Sequence, residues 1–367
     1  MKKLKILSIV GTRPEIIRLS EIIKKLDKFT NNVLVNTGQN FNYNLSKVFF
    51  KDLDLRKPNY EIKNRSKNLH QQISYIINGV GTIIEKEKPD AFIVLGDTNS
   101  SLSLIVAKRM GIPTFHLEAG DRCFDNNNPE EVNRKIVDHI SDYNFTYTEN
   151  SRRNLIREGI HPDKVFLMGS PVKEVYDKIF YKIYKSNILK KLKLEKNNFF
   201  AASIHREETV DNIINFNNLI NSFDTISKKY KIPIVISTHP RTMRKVKKIG
   251  HKNKLVIWHE PFGLIDYLSL QTNSKCVISD SGTIQEDATI LNFPAVTLRN
   301  STEKKEAIEK GIAVISGYTS DAILDQIRLT LDYKTTNYPK EYMFDDVSTN
   351  VVKLILGLVS SKKNLIG

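Results

Sequence analysis

The chain has 367 residues, 40% of them apolar, and a formal net charge of +15 at pH 7; that length exceeds one hydrophobic core, so two domains are expected. No apolar run reaches the roughly 20 residues that span a bilayer, residues 1–5 lead straight into a strand instead of a signal-peptide core, and two distant cysteines, Cys123 and Cys276, offer neither a disulfide framework nor a zinc spacing. A cytoplasmic protein without membrane insertion or bound metal is expected, and the scattered lysines, as in 182–193, accompany no nucleic-acid motif, although the basic excess suits an anionic substrate such as a nucleotide diphosphate.

In chain order, apolar runs predict strands over 4–10, 32–37, 90–95, 114–117, 143–148 and 165–168, with helices over 14–26, 41–50, 69–86, 100–110 and 129–141. Such βα alternation makes a parallel sheet. After Gly169-Ser170-Pro171 a lysine-rich amphipathic connector runs to about 194. The alternation then restarts, with strands near 198–204, 234–237, 255–258, 275–279 and 295–298. The expected fold class is therefore α/β, with two Rossmann-like domains of parallel sheet, residues 1–170 and 171–349, facing a central cleft. A last helical segment within 350–367 is expected to pack back on the first domain.

Ligands of open parallel sheets bind outside the carboxyl ends of the strands, so the motifs at those ends carry the functional reading. The first strand closes on Gly11-Thr12-Arg13-Pro14-Glu15, with one glycine where a dinucleotide enzyme has three. Gly11 allows a tight turn, Pro14 suits a first helical turn, and Arg13, repelled by the helix dipole, points to an anion contact. Asp97 and Glu118 close the next two strands, and Glu130 or Glu131 opens a helix after Pro129, giving three unpaired carboxylates. In the second half, His205-Arg206 and His239-Pro240-Arg241 each follow a strand, and His205 suits phosphate contact or acid/base work. Asp280-Ser281-Gly282-Thr283 resembles a phosphate cradle: Gly282 lets the backbone approach, Ser281 and Thr283 supply hydroxyls, and an acid further on reaches ribose hydroxyls.

Together these motifs resemble the non-hydrolysing UDP-N-acetylglucosamine 2-epimerase family over nearly the whole chain. Gly11–Glu15, Thr37-Gly38-Gln39, Gly96-Asp97-Thr98, His116-Leu117-Glu118-Ala119-Gly120, Pro129 to Arg134, His205-Arg206-Glu207 and Asp280 to Glu286 carry the likeness. The resemblance implies a GT-B type fold with UDP held mostly by the second domain, a homodimer, and no cofactor. It implies Asp97, Glu118 and Glu131 as acid/base carboxylates, and His205 beside the diphosphate and leaving group. Arg13, Arg18, Gln39, Arg134, Arg206, His239, Phe262, Ser281, Gly282, Thr283, Glu286 and Asp287 are implied to bind the UDP-2-acetamido sugar, with Asp287 standing where the family has Glu. Arg18 and Asn40 replace the family's lysine and histidine, and with Glu118 to Phe124 and Thr238 to Thr242 they resemble the capsule and O-antigen branch. That branch converts UDP-2-acetamido-2,6-dideoxy-L-talose to UDP-N-acetyl-L-fucosamine. Thr302-Glu303-Lys304-Lys305-Glu306 departs from both branches.

Chemistry narrows the reaction independently. The C2 proton of a 2-acetamido sugar has no adjacent carbonyl, and the dinucleotide loop needed for oxidation at C3 is missing. Elimination of UDP across C1–C2 remains, with acid/base groups on opposite faces: Asp97 or Glu131 on one, Glu118 on the other. A GT-B glycosyltransferase needs one base and an acceptor site, a hydrolysing epimerase needs water at the glycal, and a nucleotide-sugar sensor needs no carboxylates at all. The set of three favours epimerisation, with UDP-N-acetylglucosamine as the alternative substrate.

Overall fold

The computed structural model describes residues 3–39, 43–63, 66, 68–125, 128–299, 302–333 and 335–366. Asn40 and the first two positions of the helix expected over 41–50 lie outside them. The chain divides into two compact units, one made of Met1–Lys178 with Lys340–Gly367 and one of Ile179–Pro339.

In the first unit, strands β1 (Lys5–Val10), β2 (Asn31–Asn36), β3 (Tyr60–Glu61), β4 (Ala91–Leu95), β5 (Thr114–Leu117), β6 (Tyr143–Thr146) and β7 (Val165–Leu167) form one parallel sheet. Its order is β3-β2-β1-β4-β5-β6-β7. β4 is apolar throughout because helices cover both faces of a parallel sheet. Ile76, Val80, Ile83 and Ile84 of helix Leu69–Glu87 bury themselves with Leu7, Ile9, Val33, Val35, Phe92 and Val94 of the strands. The closing helix Val347–Ile366 packs on helix Arg13–Phe29. Glu174 anchors its start by accepting hydrogen bonds from the Ser348 amide (2.9 Å) and hydroxyl (2.5 Å).

The second unit repeats the plan with β8 (Phe200–Ile204), β9 (Ile234–Thr238), β10 (Val256–His259), β11 (Val277–Ser279), β12 (Ala295–Thr297) and β13 (Ala313–Ile315). Their parallel order is β10-β9-β8-β11-β12-β13. Leu219, Phe223 and Ile226 of helix Ile213–Tyr230 and Ile323 and Ile327 of helix Ser320–Asp332 complete its core.

Two Rossmann-like α/β units, each with one parallel sheet, are thus present as expected. The differences are local. β3 and β13 escape the sequence pattern because each has only two or three residues. The helix expected over 100–110 is a 3-10 turn, Ser101–Ser103, followed by Leu104–Arg109, because Ser100 and Ser101 turn their hydroxyls to Gln39 and to the Leu95 carbonyl. No helix among the described residues is long and apolar enough to cross a membrane.

Candidate functional site

Strand order reverses between β1 and β4 in the first unit and between β8 and β11 in the second. Both switch points carry the motifs. In the first unit, a Cβ on Gly11 would overlap the hydroxyls of Thr37 and Ser100, which are bonded to each other at 2.8 Å. The glycine therefore serves close approach of two neighbouring strand ends, where the sequence had suggested a tight turn.

Glu15 ties these ends together. Its Oε2 accepts hydrogen bonds from the amides of Gly11 (2.5 Å) and Thr12 (2.7 Å), and its Oε1 accepts one from the Thr98 hydroxyl (2.5 Å), next to Asp97. Burial pushes its carboxyl up to about 7 against these hydrogen bonds, and the nearby Asp97 charge adds to the rise. Sequence reasoning passed over Glu15, although its place three residues after Thr12 and before an apolar run is a capping-box signature. The Arg13 guanidinium lies over the Phe49 ring, 5.9 Å from its centre. Gln39 Oε1 accepts from the Ser100 amide and hydroxyl, both at 2.9 Å.

The carboxylates are not unpaired, as the sequence had suggested. Arg134 Nη2 contacts Asp97 Oδ2 at 2.5 Å and Glu118 Oε1 at 3.3 Å, and Arg18 pairs with the other Glu118 oxygen. Arg18 also lies over the Tyr147 ring. One guanidinium thus joins Asp97, from the end of β4, to Glu118, from the end of β5. Glu118 sits at φ +59°, a left-handed conformation that costs a non-glycine residue about 1 kcal/mol or more and concentrates at functional positions.

Helix Pro129–Ile140 distinguishes the neighbouring glutamates by their burial. Asn128 caps its start by accepting from the Glu130 amide, leaving Glu130 exposed, while Glu131, Arg134 and Asp138 share one buried face at helical spacing. Glu131 Oε2 accepts from the Cys123 amide (2.9 Å) and thiol (3.4 Å), and its Oε1 lies 3.3 Å from Lys135 Nζ. Cys123, which offers neither a disulfide nor a zinc spacing, therefore braces Glu131. Asp138 accepts from Arg122 Nη1 (2.7 Å) and the Gly120 amide (3.2 Å), and pairs with His116 Nδ1 (2.8 Å). His116 Nε2 reaches the Gly96 carbonyl at 2.8 Å. Burial alone would raise the Asp138 carboxyl, but His116 and Arg122 hold it below its ordinary range. This network fixes the loops carrying Asp97 and Glu118 to the helix carrying Glu131 and Arg134.

In the second unit, buried Asp280 plays the corresponding part. It accepts from the amides of His205 and Arg206, both at 3.0 Å, and pairs with His205 Nδ1 at 3.2 Å. Burial opposes its ionisation, yet His205 and the two amides hold its carboxyl low. The Ser281 and Thr283 hydroxyls bond each other at 3.1 Å, and Thr283 donates onward to Asp287 Oδ2 at 3.1 Å, while Glu286 is fully buried in the helix behind. His239 caps helix Pro240–Ile249 by accepting from the Arg241 amide at 3.3 Å. Phe262, after β10, stacks on His259 with ring centres 4.1 Å apart.

Above Gly282 lies a cluster that the sequence reading missed. A Cβ there would overlap Glu303 Oε1 and lie 3.4 Å from Arg299 Nη1 and 3.5 Å from Arg206 Nη2. Arg299 lies beyond β12, and only its spacing from the Thr302-Glu303 pair could have flagged it.

Residues 23–356 match the protein-family model described as UDP-N-acetylglucosamine 2-epimerase. A structure of UDP-N-acetylglucosamine 2-epimerase from Rickettsia bellii is 41% identical, with a TM-score of 0.90 and 98% of each chain covered. Methanocaldococcus jannaschii UDP-GlcNAc 2-epimerase, solved in complex with UDP-GlcNAc and UDP, is 33% identical with a TM-score of 0.90, covering 96% of this chain and 99% of that one. The UDP-N-acetylglucosamine 2-epimerase of Methanococcus maripaludis is 37% identical, across 88% of this chain and 90% of its own.

Proposed function

The chain belongs to the UDP-N-acetylglucosamine 2-epimerase family, and from that premise we propose that it inverts C2 of a UDP-2-acetamido sugar by eliminating and re-adding UDP. The observation that carries this reading is the convergence of Asp97 and Glu118 on the single guanidinium of Arg134, with buried Glu131 on the same helix face.

The steps balance without an external oxidant or reductant. The C1–O bond breaks and its electron pair leaves on UDP. A carboxylate takes the C2 proton, and the C–H electron pair becomes the C1–C2 double bond of a 2-acetamidoglycal. A second acid protonates C2 from the other face, and a phosphate oxygen of UDP re-forms the bond to C1. Asp97 or Glu131 serves one face and Glu118 the other. Arg18 and Arg134 hold Glu118, and Arg134 also holds Asp97, in fixed positions by guanidinium pairing. His205, Arg206 and the Ser281-Gly282-Thr283 turn face the diphosphate, where negative charge develops as UDP departs. Arg13 and Gln39 line the sugar-phosphate side, Asp287 and Glu286 stand towards the ribose, and His239 and Phe262 complete the nucleotide's surroundings.

The substrate is UDP-2-acetamido-2,6-dideoxy-L-talose, yielding UDP-N-acetyl-L-fucosamine for capsule or O-antigen polysaccharide, a reading supported by Arg18 and by Cys123 within the Glu118 to Phe124 segment. The working form is a cytoplasmic homodimer. The names of the relatives favour a second reading, UDP-N-acetylglucosamine and its manno epimer. Incubating the enzyme in D₂O with each UDP-sugar and following C2 by NMR separates them: deuterium at C2 with epimer formation identifies the substrate. Binding of UDP with no exchange in either sugar would instead support a glycosyltransferase or a sensor.

A further inference from the structure

The pair formed by Arg299 and Glu303 has no part in the chemistry above. Arg299 is 1% exposed, and its Nε and Nη1 have no hydrogen-bond partner among the described residues. Its Nη2 is paired with Glu303 Oε2 at 3.0 Å. A guanidinium presents five N–H groups in a rigid fork, and leaving donors unanswered in a buried setting is unfavourable. The unanswered Nη1 faces the bare Cα of Gly282, and Arg206 Nη2 approaches the same point. Two cations therefore converge on one face of a glycine, where a side chain would intrude. The other Glu303 oxygen, Oε1, fills that point.

A carboxylate and a phosphate are interchangeable partners for a guanidinium fork, and two anions do not share one such position. We propose that Arg299 is a diphosphate-binding residue and that Glu303 is its internal competitor, so that a nucleoside diphosphate settles over Gly282 by displacing the Glu303 carboxylate from Arg299. This rests on the reading that the second unit binds the UDP moiety. Its consequence is a deliberate weakening of UDP binding. A leaving group that must return to C1 is held by cations already offered another anion, and release of the finished UDP-sugar is eased when Glu303 swings back.

Calorimetric titration with UDP tests the exchange on the full chain. Glu303→Gln, which keeps the shape and removes the charge, binds UDP at least fivefold more tightly than wild type. Arg299→Gln binds at least tenfold more weakly, and in the Arg299→Gln background the Glu303→Gln gain disappears, since the competitor then has nothing to compete for. Wild-type binding of UDP with no tightening in Glu303→Gln overturns the proposal while leaving the UDP site intact. Failure of both wild type and Glu303→Gln to bind UDP overturns the site and the proposal together. If Arg299→Gln does not fold, the Glu303→Gln comparison decides alone.

Discussion

Glu15 gives a prediction whose sign and size follow from its surroundings. Its carboxyl is raised from an ordinary 4.5 to about 7 in the folded chain, chiefly by burial. Between those values the folded state keeps a proton that the unfolded state has lost, so stability falls as pH rises from 4.5 to 7 and is level above it. At 1.36 kcal/mol for each pH unit of the gap, the loss is about 3 kcal/mol. Glu15→Gln keeps the capping geometry, since glutamine accepts from the Gly11 and Thr12 amides and donates to Thr98, but it does not titrate. Wild type and variant should therefore diverge with pH, the variant gaining about 3 kcal/mol over wild type between pH 5 and pH 8. For a unit of roughly 200 residues that is a relative rise of roughly 6–12 °C in melting temperature. Scanning calorimetry of both proteins across this range, following the transition of the first unit, measures it. A difference that stays constant with pH would refute the reasoning.

Three further outcomes are expected. Asp97→Asn, Glu118→Gln and Glu131→Gln each lower kcat by about 10²-fold or more with UDP affinity within twofold of wild type; steady-state kinetics and calorimetry check this, and normal turnover in all three would exclude them as acid/base groups. Gly11→Ala forces a methyl group onto Thr37 and Ser100 and should cost about 1–3 kcal/mol in urea unfolding. Asp138→Asn removes the anion shared by His116, Arg122 and the Gly120 amide and should cost about 3 kcal/mol at pH 7; because the Asp138 carboxyl is held low, that contribution is present above its ordinary 3.8 and should vanish as the pH falls below it.

How much of this was legible in the sequence depended on the length scale of each signal. The central strands announce themselves as apolar runs, and the motifs at their ends mark both switch points. β3 and β13 were illegible because a two- or three-residue edge strand is defined by its partner's register, which the chain's own pattern does not carry. Asp97 and Glu118 could be found as acids at strand ends, but their pairing could not: it is set by which face of its helix Arg134 occupies, and Arg18 lies 100 residues from Glu118. Arg299 stayed hidden because its meaning comes from the turn at Gly282, whereas Glu15 carried a local capping-box signature that went unused. Asp138 drew no notice in the sequence, and its burial beside His116 is what marks it as the tie between loops.

In the proposed reaction UDP leaves C1 and returns. Positional isotope exchange tests it directly: a UDP-2-acetamido sugar carrying ¹⁸O in the bridge between C1 and the β-phosphorus is turned over, and ³¹P NMR follows the label. The expected result is that ¹⁸O spreads into the non-bridging oxygens of the β-phosphate at a rate comparable with epimer formation, because free rotation of the departed phosphate equalises its oxygens. Complete epimerisation with the label still confined to the bridge would show that the C1–O bond never broke, and would contradict the mechanism.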